Sequence, residues 1–162
     1  MAHGYYLMSG RAQAVMLHTN VGLANGAIGT LNAACDHVPV LLMSGRTPAT
    51  EQDRFGARTV PIGWGQEMRD QTALVREACK WDYELRTASQ VETVVDRALN
   101  VAMTEPRGPV YLSLPREVLA DAPGDFSYAP ADQHQPATDP APDPAALERL
   151  AGLIAKAKNP VI

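Results

Sequence analysis

Apolar and polar positions fall in blocks along this chain, and the blocks read as short buried strands separated by helices. Gln13 to His18, QAVMLH, is brief and apolar with a Val near its centre, the pattern of a strand covered on both faces. TNVG, Thr19 to Gly22, reads as a break after it. Leu23 to Asp36, LANGAIGTLNAACD, then reads as a helix of mostly small residues. Its glycines weaken an isolated helix, so their place is a helix packed very closely on a sheet or on another helix. Val38 to Ser44, VPVLLMS, is a second buried strand. Strand, helix and strand in this order make a βαβ unit and imply a parallel sheet.

Gly45 to Gly65 has little periodicity and several Gly and Pro, and is too long for a plain connector. It reads as a functional loop or an interface segment. Gln66 to Lys80 has Met68, Thr72, Val75 and Cys79 on one helical face. Trp81, Tyr83 and Leu85 alternate with Asp82 and Glu84, which predicts a half-buried strand. Ser89 to Glu105 predicts a helix opened by a Ser89–Glu92 capping box, with Val94, Ala98 and Ala102 along its apolar stripe. Val110 to Leu114 is another strand, closed by Pro115. The fold class is therefore α/β: a layered parallel sheet with flanking helices, truncated at both ends.

The character changes after Asp121. Residues 122–143 are rich in Pro and poor in large apolar side chains, which reads as a linker or a wrapping tail. Asp143 caps a new helix with Pro144 at its first position, and Leu147, Leu150, Ile154 and Ala157 give it an apolar stripe. Val161-Ile162 reads as the start of a strand in a second domain.

Composition narrows the possible functions. The 162 residues are 46% hydrophobic, enough for a core, and the net charge is −4. The 14 basic residues form no run or face, which argues against nucleic acid. No apolar run reaches a membrane span, and there is no signal-peptide pattern, so a cytoplasmic protein is expected. Cys35 and Cys79 stand apart, each in a segment read as helical, and are expected to be buried reduced thiols with no metal site.

The candidate chemistry is sparse. Gly22, Gly26 and Gly29 form G-x-x-x-G-x-x-G after a strand, which is not the dinucleotide fingerprint, and no acidic residue ends the next strand. Close helix packing accounts for the same glycines. His18 ends the first strand, where α/β sheets place ligand-facing residues. His3 and His37 have no carboxylate or nucleophile obviously paired with them. Ser44 and Ser113 lack a nucleophile elbow. Arg46, Glu51, Asp53, Arg54 and Arg58 crowd the long loop and read as a solvated or interface surface. Gln66 and Glu67 follow the Gly63-Trp64-Gly65 turn, where they either project at a site or begin a helix. These residues name no reaction.

Several segments together carry a resemblance. Met1-Ala2-His3-Gly4-Tyr5, then Thr19-Asn20-Val21-Gly22 with Asn25, then Ser44-Gly45-Arg46 follow the order of a known pattern. They resemble the pyrimidine-binding domain of thiamine-diphosphate-dependent enzymes of the acetolactate synthase and pyruvate oxidase type. Gly108 to Asp121, GPVYLSLPREVLAD, is similar to the closing strand of that domain, and ALERLAGLIAKAKNPVI to the start of the central domain that follows it. The resemblance implies residues 1–121 as a pyrimidine-binding domain lacking its first strand and helix, 122–143 as linker, and 144–162 as the central domain's opening.

It also implies roles. Val21, Gly22 and Asn25 would lie near the aminopyrimidine ring of thiamine diphosphate, and Gln66 would face the substrate, a small 2-oxo acid. The family's catalytic glutamate lies a few residues before the stretch matched by Met1 to Tyr5, so no catalytic residue is expected in this chain. Met1 then falls inside the helix that follows that acid. Mg²⁺ and the diphosphate would be bound by another domain, so no metal ligand is expected here. The full protein would be a decarboxylase or carboligase that forms a homo-oligomer, with this chain inactive alone. Asn20-Val21-Gly22 and Gly45-Arg46 depart from the family's S-G-P-G and Gly-Gln, which points away from acetolactate synthase itself. A non-catalytic assembly module pairing with a partner chain and a dinucleotide-binding α/β enzyme are the alternatives.

Overall fold

A computed structural model describes residues 1–60, 65–125, 128, 136–137 and 140–161. Helix α1 (Ala2–Ser9) ends at Gly10, whose φ of 67° is the left-handed conformation that glycine adopts without a Cβ penalty. Strand β1 (Gln13–Leu17), helix α2 (Thr19–Cys35) and strand β2 (Val40–Arg46) follow. The chain then makes the long loop and two 3₁₀ turns, Thr72–Leu74 and Arg76–Ala78. Strand β3 (Asp82–Glu84), helix α3 (Val91–Met103), strand β4 (Val110–Pro115) and helix α4 (Arg116–Ala120) complete the sheet layer, and helix α5 (Pro144–Lys156) lies beyond it in sequence.

The four strands lie in the order β1-β2-β4-β3, and every pairing is parallel. Register is set by apolar pairs: Val15 faces Leu42, and Met43 faces Leu112. Successive strand residues serve opposite faces. Leu41, Val110 and Leu112 pack with Val94 and Ala98 of α3. Leu42 and Tyr111 pack with Leu23 of α2 and with Val75. The α/β layered fold expected from the hydrophobic blocks is therefore present, with the central strands covered on both faces.

Five local expectations are corrected. Strand β1 is not covered on both faces, because it lies at the sheet edge and its half-buried and exposed positions alternate, with Met16 60% exposed. TNVG is not a break, because Thr19 to Gly22 form the first turn of α2. Gln66 to Lys80 is not one helix; its apolar face is buried at Thr72 and Val75, but through 3₁₀ turns. The Ser89–Glu92 capping box does not form, since Ser89 Oγ lies 3.1 Å from Thr87 Oγ1 and a 3₁₀ turn leads into α3. Cys35 is exposed rather than buried. The Asp143 cap does form, accepting from the Ala146 amide at 2.9 Å. Helix α5 buries none of its residues. The Gly63-Trp64-Gly65 turn lies in part outside the described residues.

Gly26 and Gly22 show why α2 is made of small residues. A Cβ on Gly26 would stand 2.6 Å from Leu17 Cδ1, and one on Gly22 would stand 3.3 Å from the Leu17 backbone. Both glycines thus let α2 lie directly on β1. Gly29 has open space instead and borders an apolar cavity of about 350 Å³ between α1, α2 and the first two strands.

Candidate functional site

Parallel strands deliver their last residues to one edge of the sheet, and that edge is where open α/β folds bind ligands. Here β1 ends into His18 and Thr19, β2 into Arg46 and Thr47, and β4 into Arg116. With Gln66 returning from the long loop, they border a cleft of about 260 Å³ whose apolar walls include Leu114 and Leu119. Gln66 Nε2 lies 3.5 Å from His18 Nε2, at the long end of the hydrogen-bond range.

Thr19 is the most unusual residue at this edge. Its φ is +46°, a left-handed conformation that a β-branched residue adopts only under constraint, at a cost of order 1–3 kcal/mol. Its hydroxyl and the neighbouring Asn20 Oδ1 are buried with no hydrogen-bond partner among the described residues. Leaving such an oxygen unpaired costs about 1–3 kcal/mol, so the head of α2 carries both backbone strain and unsatisfied polar atoms.

The long loop is held by charge pairs rather than by solvent. Glu67 Oε2 accepts from Thr47 Oγ1 at 2.7 Å and from Arg58 Nη2 at 2.8 Å. Arg46 pairs with Glu84 of β3 and reaches Glu67 Oε1 at 3.5 Å. Burial disfavours the Glu67 carboxylate, but the Thr47 hydroxyl and the two guanidinium groups outweigh it and hold its carboxyl below the ordinary range. Arg54 pairs with Asp121. Buried Glu117, on α4, accepts from the amides of Ala49 at 2.7 Å and Thr50 at 3.3 Å. Gly56, at φ 84°, lets the loop lie against the Glu117 backbone. The loop charges read as a solvated or interface surface thus include ion pairs, while Glu51, Asp53 and Arg54 are exposed.

A second anchor lies under the loop. Gln71, 1% exposed, donates from Nε2 to Ser44 Oγ at 2.8 Å and to the Gly45 carbonyl at 2.9 Å. The Tyr111 hydroxyl lies 2.7 Å from Ser44 Oγ. Ser44 thus serves as a hydrogen-bond partner inside the core. Nothing in the apolar spacing pointed to Gln71, and a lone Gln among charged residues gives no signal of burial.

The other sequence candidates are placed as follows. Val21 and Asn25, one helical turn apart, share an exposed face of α2, and Gly22 is half-buried against Leu17. These three do not border the cleft that holds Gln66, although Thr19 at the head of the same helix does. His3 has a carboxylate partner that its sequence neighbours did not show, Asp36 at 3.1 Å. His37 Nδ1 lies 3.2 Å from the Arg107 carbonyl. Cys79 is half-buried, and burial pushes its thiol up to about 12. Among the described residues no group of three or more His, Cys, Asp or Glu could hold a metal ion, and no helix is long and apolar enough to cross a membrane.

Comparison with known proteins fits this geometry. Residues 1–74 match the family model described as thiamine pyrophosphate enzyme, N-terminal TPP binding domain. The whole chain is 32% identical to a benzoylformate decarboxylase of Pseudomonas aeruginosa and 30% identical to a sulfoacetaldehyde acetyltransferase of Rhodobacter capsulatus. It spans 29% and 25% of those proteins' lengths. Among solved structures, a thiamine diphosphate-dependent 4-hydroxybenzoylformate decarboxylase of Rhodococcus jostii RHA1 superposes with a TM-score of 0.74 at 24% identity. That match covers 99% of this chain and 29% of that one, and shows a common fold.

Proposed function

We infer that this chain, which belongs to the thiamine-diphosphate-dependent enzymes, supplies the aminopyrimidine-side wall of the cofactor pocket and the substrate-facing groups beside it. One observation carries the reading. At the carboxyl-terminal edge of a parallel sheet, His18 and Gln66 meet beside Thr19, which has a strained backbone and a hydroxyl without a partner among the described residues. Strain and unsatisfied polar atoms persist at binding sites because the surrounding fold sustains their cost.

The residues fit the ring. An aminopyrimidine offers ring nitrogens that accept and an amino group that donates. The Thr19 hydroxyl can donate and Asn20 Oδ1 can accept, and both are buried without partners. Val21, Gly22 and Asn25 extend this wall along α2, where the missing side chain of Gly22 lets the helix lie against the end of β1. Thiamine diphosphate, when bound, supplies the electron sink for the carbanion formed next to a 2-oxo-acid carbonyl. The chain's own residues orient and enclose. Gln66 offers an amide donor and acceptor to a substrate in the cleft. His18 can hold or release a proton at Nε2, the nitrogen that faces Gln66. Leu114 and Leu119 give the same space apolar walls.

In this reading residues 1–121 form the pyrimidine-binding domain, 122–143 a Pro-rich linker, and 144–162 the opening of a central domain. The whole enzyme decarboxylates or joins small 2-oxo acids in the cytoplasm as a homo-oligomer. Mg²⁺ and the diphosphate are held by a separate domain. Saturation-transfer NMR of the chain with thiamine tests the assignment. Transfer to the pyrimidine protons and little to the thiazolium supports it, while no transfer, or equal transfer to both rings, refutes it.

A second reading, an assembly module, is favoured by a row of exposed apolar side chains. Leu7 and Met8 of α1 and Val21, Ile28 and Leu31 of α2 are all at least 47% exposed. Such a surface belongs to subunit contacts. The two readings are compatible, and size-exclusion chromatography of the chain separates them. A chain that stays monomeric both alone and mixed with a candidate partner chain removes the assembly reading.

A further inference from the structure

Among the described residues, the side chain of Gln66 has one hydrogen-bond partner in the cleft, His18. Its position is therefore set by its backbone, and its neighbour Glu67 is the residue that ties this backbone down. The Glu67 carboxylate is bonded to Thr47, the residue after β2, and to Arg58 in the long loop. It also meets Arg46, the last residue of β2, whose guanidinium is paired with Glu84 on β3 and donates to the Met68 carbonyl at 3.3 Å. Arg58 in turn donates to the Pro48 carbonyl at 2.7 Å. One carboxylate thus fastens the start of the returning segment to the end of β2 and to the outgoing loop, and through Arg46 it is linked to Glu84 of β3.

Charge balance alone does not account for Glu67. Without it, Arg46 keeps Glu84 and Arg58 keeps Glu51 at 3.2 Å, so neither guanidinium is left without a carboxylate. What Glu67 adds is geometry: its one carboxylate meets residues 46, 47 and 58 together, beside the single bond from Arg46 to the Met68 carbonyl. We propose that Glu67 is a positioning residue: its carboxylate holds Gln66 against His18 at the mouth of the cleft. The proposal rests on the reading of that cleft as a substrate wall, but it concerns a distance that is measurable without cofactor or substrate.

The test uses the isotopically labelled full chain, with nuclear Overhauser contacts between the Gln66 carboxamide and the His18 ring as readout. Glu67→Gln keeps the shape and loses the charge. It is expected to weaken that contact about tenfold, the scale of one charge-assisted hydrogen bond, with the β2–β4 contacts around Ser44 and Ser113 unchanged. Thr47→Val, which removes only one donor, is expected to weaken the same contact in the same direction, and it decides the matter if Glu67→Gln does not fold. The proposal is overturned if the wild-type contact is absent, if both variants retain it in full, or if it fades only together with the sheet contacts. If the contact weakens in both variants as expected while thiamine shifts no cleft resonance even in the wild type, Glu67 positions Gln66, and the reading of the cleft as a cofactor and substrate wall is what fails.

Discussion

Gln66 and His18, 48 positions apart in the chain, place their side-chain nitrogens 3.5 Å from each other at the carboxyl-terminal edge of the sheet. His18 is fixed by the strand that it ends. Gln66 is fixed by a loop that must travel out, turn on α4 and return. The site is therefore only as well made as the loop's anchors, and the anchors are what mutation can test.

Gln71 is the strongest of these anchors. Replacing it by Leu removes the buried amide that serves Ser44 and the Gly45 carbonyl. Buried partners left unsatisfied cost about 1–3 kcal/mol, so Gln71→Leu should lose at least about 2 kcal/mol in urea unfolding. Tyr111→Phe leaves the Gln71–Ser44 bond in place and should lose about 1 kcal/mol. Equal stability of Gln71→Leu and the wild type would mean that the loop is held elsewhere.

Two glycines should respond in opposite directions. Gly29 lies inside α2 with open space where a Cβ would be, so Gly29→Ala should stabilise the chain by about 0.5–1 kcal/mol. Gly56 has φ 84°, and a Cβ there would lie 2.9 Å from Glu117 Cα. Gly56→Ala should destabilise by more than about 1 kcal/mol and release the loop from α4. Thermal melting of both variants checks the pair.

Acid should expose the Glu67 network. Its folded-state carboxyl is held below the ordinary range, so its contribution is complete above the unfolded value of about 4.3 and is lost as pH falls through the lower folded value. The stability difference between the wild type and Glu67→Gln should therefore be constant near neutrality and shrink below about pH 4. A difference that grows on acidification contradicts the assignment.

The two thiols should react very differently. Cys35 is exposed, whereas the Cys79 thiol is pushed up to about 12 by burial. At pH 9 only about one Cys79 in a thousand is thiolate. A disulfide reagent should titrate one thiol in the native chain and two in denaturant. Two fast thiols in the native state would place Cys79 at the surface.

How much of this was legible in the sequence depends on what each segment answers to. VPVLLMS gave its strand because a strand buried on both faces is apolar throughout, whereas QAVMLH is a strand whose half-buried and exposed positions alternate at the sheet edge. The α3 stripe gave its helix, since Val94, Ala98 and Ala102 all face the core. Gln66 to Lys80 showed its buried positions but not its backbone. Thr72 and Val75 are inside, yet Asp70 accepts from the Ala73 amide and Gln71 is drawn to β2, so the segment turns in 3₁₀ steps. Tertiary bonds overrode the helical period. In the site, His18 was visible from its place at a strand end and Gln66 through family resemblance. Thr19 and Asn20 were visible only in a motif, and their buried oxygens have no signature in composition. The Glu67 tie was out of reach, because it depends on which loop residues return beside β2.

The central claim is that the strand-end edge around Thr19 is the face presented to an aminopyrimidine. Backbone chemical-shift mapping of the labelled chain during titration with thiamine tests it most directly. The account predicts progressive shifts confined to His18 to Asn25, Gly45 to Thr47 and Gln66. Shifts centred instead on the apolar cavity between α1 and α2, or none up to millimolar thiamine, would contradict it.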